Sequence, residues 1–220
     1  MAVLAATMQL GLAAELSVDH GNIMLDGKAL TSAGTDSDPI LSPDGNSVVF
    51  VRLGDDSDAM AGCSSQGATP VKAIALWSVK ADGTGPTKLT DAHPGAKPET
   101  TVCEFDKKGF DSTGRYLYFD TPAYATSSAI HVLDLKTKKE RFFAAGGLLR
   151  VVSACSDKKY LNTVVAEEHK TFVLGGSYDW PYLYSAAGKE LGPVSTDSSK
   201  LGAIDDACKA DAAPAATPAK

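Results

Sequence analysis

The side chains able to do chemistry in this chain stand far apart in the sequence. The four histidines, His20, His93, His131 and His169, form no His-x-His or His-Glu-x-x-His spacing, the patterns that bring two imidazoles to one metal. His131 falls in a β-rich run and is expected to pack against a neighbour. Gly175-Gly176-Ser177-Tyr178 starts like a Gly-x-Ser-x-Gly nucleophile elbow, but Asp179 stands where the second glycine is needed. Trp180-Pro181-Tyr182-Leu183-Tyr184 then reads as a strand, whereas the elbow needs a helix. All four histidines precede Ser177, so the hydrolase order of serine, acid and histidine cannot occur. Gly175-Gly176 is expected to be a loop between strands. Asp55-Asp56-Ser57-Asp58 offers hard oxygens suited to Ca²⁺ but lacks the glycine and glutamate of a calcium loop, and a solvated loop is expected. No catalytic, cofactor-binding or metal-ligating residue is assigned.

The cysteines are Cys63, Cys103, Cys155 and Cys208, with no Cys-x-x-Cys. Two thiolates cannot converge from one short turn, which argues against a zinc ribbon or a dithiol redox site. An even number at wide spacing fits two disulfides in an oxidising compartment; the alternative is four buried free thiols. Of three connectivities, Cys63–Cys103 and Cys155–Cys208 are expected, because each ties a loop or tail to a nearby predicted strand. Each closure contributes roughly 3–4 kcal/mol on the chain-entropy argument.

The 220 residues are 44% apolar and 22% charged, an ordinary globular balance. The formal charge is −6, which disfavours nucleic acid and anionic lipid, since both need a positive field. Lys136, Lys138, Lys139 and Arg141 form a small basic cluster interrupted by Glu140 and read as a solvated turn. Residues 1–14 are apolar but shorter than the ~20 residues that span a bilayer. They read as a signal peptide with small residues at the cleavage positions, although no Lys or Arg precedes them; a core segment is the alternative. Residues 209–220, rich in Ala and Pro, cannot offset their ordering entropy and are expected to be disordered.

The part between is repetitive. Pro39–Val51 is a strand, a turn at Asp44-Gly45 and a second strand. Gly109–Phe119 repeats it with Thr113-Gly114 at the turn, and Ala154–Leu161 is a weaker copy with Asp157-Lys158 at the turn. Each is followed by a β-rich run, a polar turn and a short strand: Ile74–Gly83 then Pro86–Thr90, Ile130–Thr137 then Glu140–Phe143, Pro181–Gly188 then Glu190–Val194. The unit is four antiparallel strands in about 45 residues. Residues 53–72 form an insert. Asn22–Thr31, with Asp26-Gly27 at its turn, supplies only the second half of a unit. The chain is therefore expected to be all-β, with half a unit and three full ones. Tyr178, Trp180, Tyr182 and Tyr184 are read as core between units or, if exposed, as an apolar platform for protein or glycan.

Four-stranded repeats of this length are propeller blades, and the wording resembles the TolB-like family. Ser42-Pro43-Asp44-Gly45, Val48–Val51, Asp82-Gly83 and Leu89-Thr90 match that repeat; Asp26-Gly27 and Leu30-Thr31 match its second half. Residues 18–208 are assigned to such blades, a β-propeller-like stack of four-stranded antiparallel sheets that is small or incomplete. Lys200–Ile204 is one candidate to add a strand to the N-terminal half unit. An open stack and closure through a second subunit are the others. The resemblance implies a periplasmic or secreted, non-catalytic protein-interaction module of a bacterial envelope. Loops 53–72 and 122–128 are its candidate contacts, with a protein partner, no nucleic acid, no integral membrane span, no cofactor, and self-association open. The rival readings are a propeller hydrolase or lyase with a dispersed site, and a partial propeller completed by another chain.

Overall fold

The computed structural model describes residues 14–54, 59–60, 63, 71–124, 127–194 and 203–208. The predicted signal peptide (but for residue 14), the acidic run 55–58 and the predicted tail 209–220 lie outside them. The strands are β1 (Leu16–Asp19), β2 (Asn22–Leu25), β3 (Lys28–Ala29), β4 (Asp36–Leu41), β5 (Ser47–Leu53), β6 (Ala59–Met60), β7 (Val71–Lys72), β8 (Ile74–Lys80) and β9 (Thr87–Asp91). They continue with β10 (Lys108–Phe110), β11 (Tyr116–Pro122), β12 (Ser128–Asp134), β13 (Lys139–Ala145), β14 (Gly147–Val151), β15 (Val164–Thr171), β16 (Ser177–Tyr184) and β17 (Glu190–Pro193). Among the described residues one α-helix, α1, spans Ala203–Cys208, and a 3-10 turn spans Pro98–Thr100.

The sheets are β1-β2-β3, β4-β5-β8-β9, β10-β11-β12-β13 and β14-β15-β16-β17, each an antiparallel meander; β6 and β7 form a small ladder inside the insert. The fold is all-β and propeller-like. Three expectations need correction, the third at residues 154–161. The N-terminal half unit has three strands, because Leu16–Asp19 pairs with Asn22–Leu25. Ala203–Cys208 is a helix, so Ile204 adds no strand to the first sheet and packs instead on the fourth.

Central strands of the second and third sheets are apolar on both faces because these sheets are covered on both sides. On β5, Val48 and Phe50 meet Ile23, Leu25 and Leu30 of the first sheet, while Val49 and Val51 face Leu117, Phe119 and Leu133 of the third. On β11 the intervening Tyr118 turns the other way, towards Val164, Ala166 and Tyr184 of the fourth. Alternation of period two thus makes three successive inter-sheet cores. Tyr118 and Phe143 meet edge-on at 5.1 Å, and Phe143 lies 5.9 Å from Tyr184. Burial raises the Tyr118 hydroxyl to about 12.

The turns between the first two strands explain why two dissimilar sequences fold alike. In Ser42-Pro43-Asp44-Gly45 the Ser42 hydroxyl donates to Asp44 (2.6 Å) and accepts from Ser47 N–H (3.0 Å). Asp44 accepts from Asn46 N–H at 3.0 Å. In Asp111-Ser112-Thr113-Gly114 the carboxylate and hydroxyl exchange places. Thr113 donates to Asp111 (2.6 Å) and accepts from Arg115 N–H (3.2 Å), while Asp111 accepts from Tyr116 N–H (2.9 Å). Gly45 and Gly114 sit at φ 71° and 69°, open to glycine at no steric cost. In the fourth sheet, residues 154–161 are not strand-turn-strand as the sequence suggested. They form the connection between β14 and β15, and Asp157-Lys158 lies within it.

Both ends of the stack are finished. Leu16, Ile23 and Leu25 face the second sheet, and the alternate residues Ser17, Asp19, Asn22 and Met24 give the first sheet a mainly polar outer face. On the fourth sheet, Val165 and Leu183 are covered by Val152 and by Ile204 and Cys208 of α1. Arg150 pairs with Asp205 at 2.8 Å. Terminal repeats of stacked proteins need such caps.

Candidate functional site

In each four-stranded sheet the first strand begins, the second ends and the third begins at the same end. The described ends of two connections, at Gly54 and Ala73 and at Ala123 and Ser127, and the connection 172–176 therefore gather there; most of the insert 53–72 lies outside the described residues. The sequence marked the third connection as a loop at Gly175-Gly176 but not as a contact. Cys63 of the insert is bonded to Cys103, just ahead of β10, with Cα atoms 5.2 Å apart. Cys155 is bonded to Cys208 at 4.6 Å between Cα atoms. Thr121 accepts from the N–H groups of Cys103 and Glu104 at 2.9 and 3.1 Å, fixing that loop to β11.

This end holds an open groove of about 630 Å³ lined by Asp38, Asp106, Lys107, Asp120, Ser127, Ser128, Gly147, Glu167, His169 and Asp179. Asp38 enters it from a bulge in β4, where the register shifts between Ser37 and Ile40 and Asp38 sits at φ 50°. Bulges re-aim side chains in this way. Lys108 is committed to Asp38 and to the carbonyls of Phe105 (2.9 Å) and Asp106 (3.1 Å). His169 Nδ1 and Asp179 lie 2.8 Å apart on paired strands. Glu104, beside the groove, is raised above the usual carboxylate range by burial and by its like-charged neighbour Asp106.

Asp120 is 4% exposed. Its Oδ2 accepts from Leu148 N–H at 2.8 Å, and its Oδ1 has no hydrogen-bond partner among the described residues. Burial raises its pKa, partly offset by the Leu148 hydrogen bond. Gly147 leaves room beside it, and Gly146 packs its backbone closely against Glu167. A Cβ on Gly146 would fall 2.5 Å from the Glu167 carbonyl, and one on Gly147 would stand 3.7 Å from Asp120 Oδ2.

The hairpin β15–β16 forms one wall. Glu167, His169 and Asp179 face the groove, and Glu168, Lys170, Tyr178, Trp180 and Tyr182 occupy the other side. Lys170 stands 4.3 Å over the Tyr182 ring and bonds Glu168. Tyr184 donates to Glu168 and belongs to the inter-sheet core. The aromatic row thus starts as core and runs out past it. The hairpin tip carries Phe172, Val173 and Leu174 at 58%, 101% and 99% exposure. It is closed by Phe172 N–H to Gly176 O and Gly175 N–H to Phe172 O, both 3.0 Å.

The other sequence candidates do not line the groove. Gly175-Gly176 is the hairpin turn, as expected, and Ser177 opens a strand. The basic cluster 136–141 lies at the opposite end, where Lys138 reaches the Lys88 carbonyl at 3.1 Å. His20 is exposed in a turn at φ 46°. His131 is fully buried, stacked on Phe119 at 5.8 Å, with Nδ1 against Glu140. His93 Nε2 stands 3.5 Å from the other Glu140 oxygen. That trio is spread over nearly fifty positions and no short motif marks it. Among the described residues no three His, Cys, Asp or Glu converge to hold a metal ion.

No family model and no curated protein matches the chain. Several solved structures are similar. The β-propeller domain of the Trilobed protease from Pyrococcus furiosus, described as having an open velcro topology, has a TM-score of 0.46 at 11% identity, covering 74% of this chain and 44% of that one. TolB from Acinetobacter baumannii gives 0.44 at 12%, covering 80% and 38%. The Xanthomonas campestris gluconolactonase XC5397 gives 0.45 at 15%, covering 84% and 59%. The chain spans 38–59% of these three proteins.

Proposed function

We propose that this chain is an exported, non-catalytic protein-interaction module of a bacterial envelope, and that it binds with the end of the stack where the three connections gather. The observation that carries the reading is the hairpin tip. Phe172, Val173 and Leu174 are three consecutive large apolar side chains held in water by an ordered turn. Such exposure destabilises an isolated protein and is retained where a partner covers it. Loops on a rigid scaffold are where binding concentrates. Two disulfides fit an oxidising compartment, and the finished ends of the stack favour a self-sufficient module over one completed by another chain.

A photo-crosslinking residue placed at Val173 tests this in the native host. A discrete protein adduct that is lost on L174D, with the melting temperature unchanged, supports the reading. Robust turnover by the purified chain, abolished by one groove substitution such as H169A, would replace it with the enzyme reading.

A further inference from the structure

We infer that the groove receives an arginine side chain of the partner, its guanidinium seated against Asp120. This rests on the interaction-module reading and adds the chemistry of the partner.

Four carboxylates are buried among the described residues: Asp36, Asp111, Asp120 and Glu168. Three are satisfied from within. Arg52 gives Asp36 a two-point clamp through Nε and Nη2 at 2.5 and 2.8 Å. Asp111 holds Thr113 and the Tyr116 N–H, and Glu168 holds Tyr184 and Lys170. Asp120 alone keeps an oxygen without a partner, and it lines the groove. A buried acceptor left unpaired costs roughly 1–3 kcal/mol, so a ligand that supplies donors there recovers that loss on binding.

The surroundings select the ligand's charge and shape. Asp38, Asp106, Glu167 and Asp179 line the groove with Asp120 and outnumber its one lysine, Lys107, whose charge acts on Asp120, while Lys108 is committed to Asp38. The carboxylates are spread too widely to hold one metal ion, but they suit a cation with donors pointing several ways. The guanidinium is that cation, with five donors in a planar fork. The second sheet uses this same pairing at the same end of the stack, between Asp36 and Arg52. Gly147 carries no side chain to cover the Asp120 carboxylate.

The test is the affinity of the full chain for a hexa-arginine peptide by calorimetry, with hexa-lysine, Ca²⁺ and Mn²⁺ as comparisons. Binding of hexa-arginine several-fold tighter than hexa-lysine is expected. It should fall at least tenfold in D120N and be unchanged in D19N, which removes one charge from the first sheet's outer face. Equal loss in D19N and D120N would reduce the effect to net charge and overturn the inference, as would tight binding of either metal that D120N abolishes. E167Q on the groove wall serves as a second variant if D120N fails to fold, with the same expected weakening. The Val173 adduct separates the two proposals. An adduct without arginine binding leaves the module and removes the groove assignment; arginine binding without an adduct does the reverse.

Discussion

Asp120 accepts the backbone N–H of Leu148 across the boundary between the third and fourth sheets, at 2.8 Å, and keeps its second oxygen buried and unpaired in a residue that lines the groove. One carboxylate thus helps join two sheets and carries an unsatisfied polar atom. That combination lowers the stability of the free protein at neutral pH, and it makes the groove testable without a partner.

The D120N variant should be the more stable protein at pH 7, because asparagine keeps an acceptor for Leu148 and removes a buried charge. Burial raises the Asp120 pKa, so the folded state holds this proton more tightly than the unfolded state. Its contribution to stability is full below the unfolded value of about 3.9 and is lost as pH rises through the folded value. The advantage of D120N should therefore shrink towards zero below about pH 4. Thermal melts from pH 3 to 8 read this out, at about 2–4 °C per kcal/mol. A wild type that is the more stable protein at pH 7 would contradict it.

The exchanged turn networks predict strong coupling. S42D alone sets two carboxylates together, and D44T alone removes the acceptor of Ser42; each should cost about 1 kcal/mol or more. The double variant S42D/D44T reproduces the Asp111–Thr113 arrangement and should recover most of that loss. A double-mutant cycle in denaturant should give a coupling of about 1–2 kcal/mol. Simple additivity would show that the two turns do not share one design.

Thiol alkylation should leave the mass of the native protein unchanged and add four groups only after reduction. The C155S/C208S variant should lose about 4 kcal/mol, given the 53-residue separation of the pair. It should also bind a hydrophobic dye, since α1 covers Val165 and Leu183. An unaltered urea midpoint would mean that α1 is not held by this bond.

The outer face of the first sheet should keep the chain monomeric. Replacing Ser17 and Asp19 by valine (S17V/D19V) converts a polar face into an apolar one and should give concentration-dependent association by sedimentation, with wild type staying at one chain. Association of wild type at micromolar concentration would show that this face is not a cap.

The second and third sheets were legible in the sequence because their short apolar runs, such as Val48–Val51, are bounded by turns that carry Asp, Thr and Gly where the geometry needs them. The fourth sheet was placed less well. Its strand β15 continues as Glu167, Glu168, His169 and Lys170 beyond the core to build the groove wall, so its outer half loses the period of two. β1 was missed because Leu16–Asp19 is short and follows an apolar run. The groove was not legible at all. Asp38, Asp120, Glu167 and Asp179 come from three sheets and Asp106 from the loop before β10, and only stacking brings them together.

The most direct test of the account is a crosslinking scan of both ends in the native host. Photo-reactive residues at Ser127, Thr171 and Val173 sample the groove end, and others at Asn46, Thr137 and Ala187 sample the opposite end. The account predicts one shared adduct from the first three positions and none from the second three. The same adduct from the opposite end, or adducts from neither, would contradict the claim that this end of the stack is the binding surface.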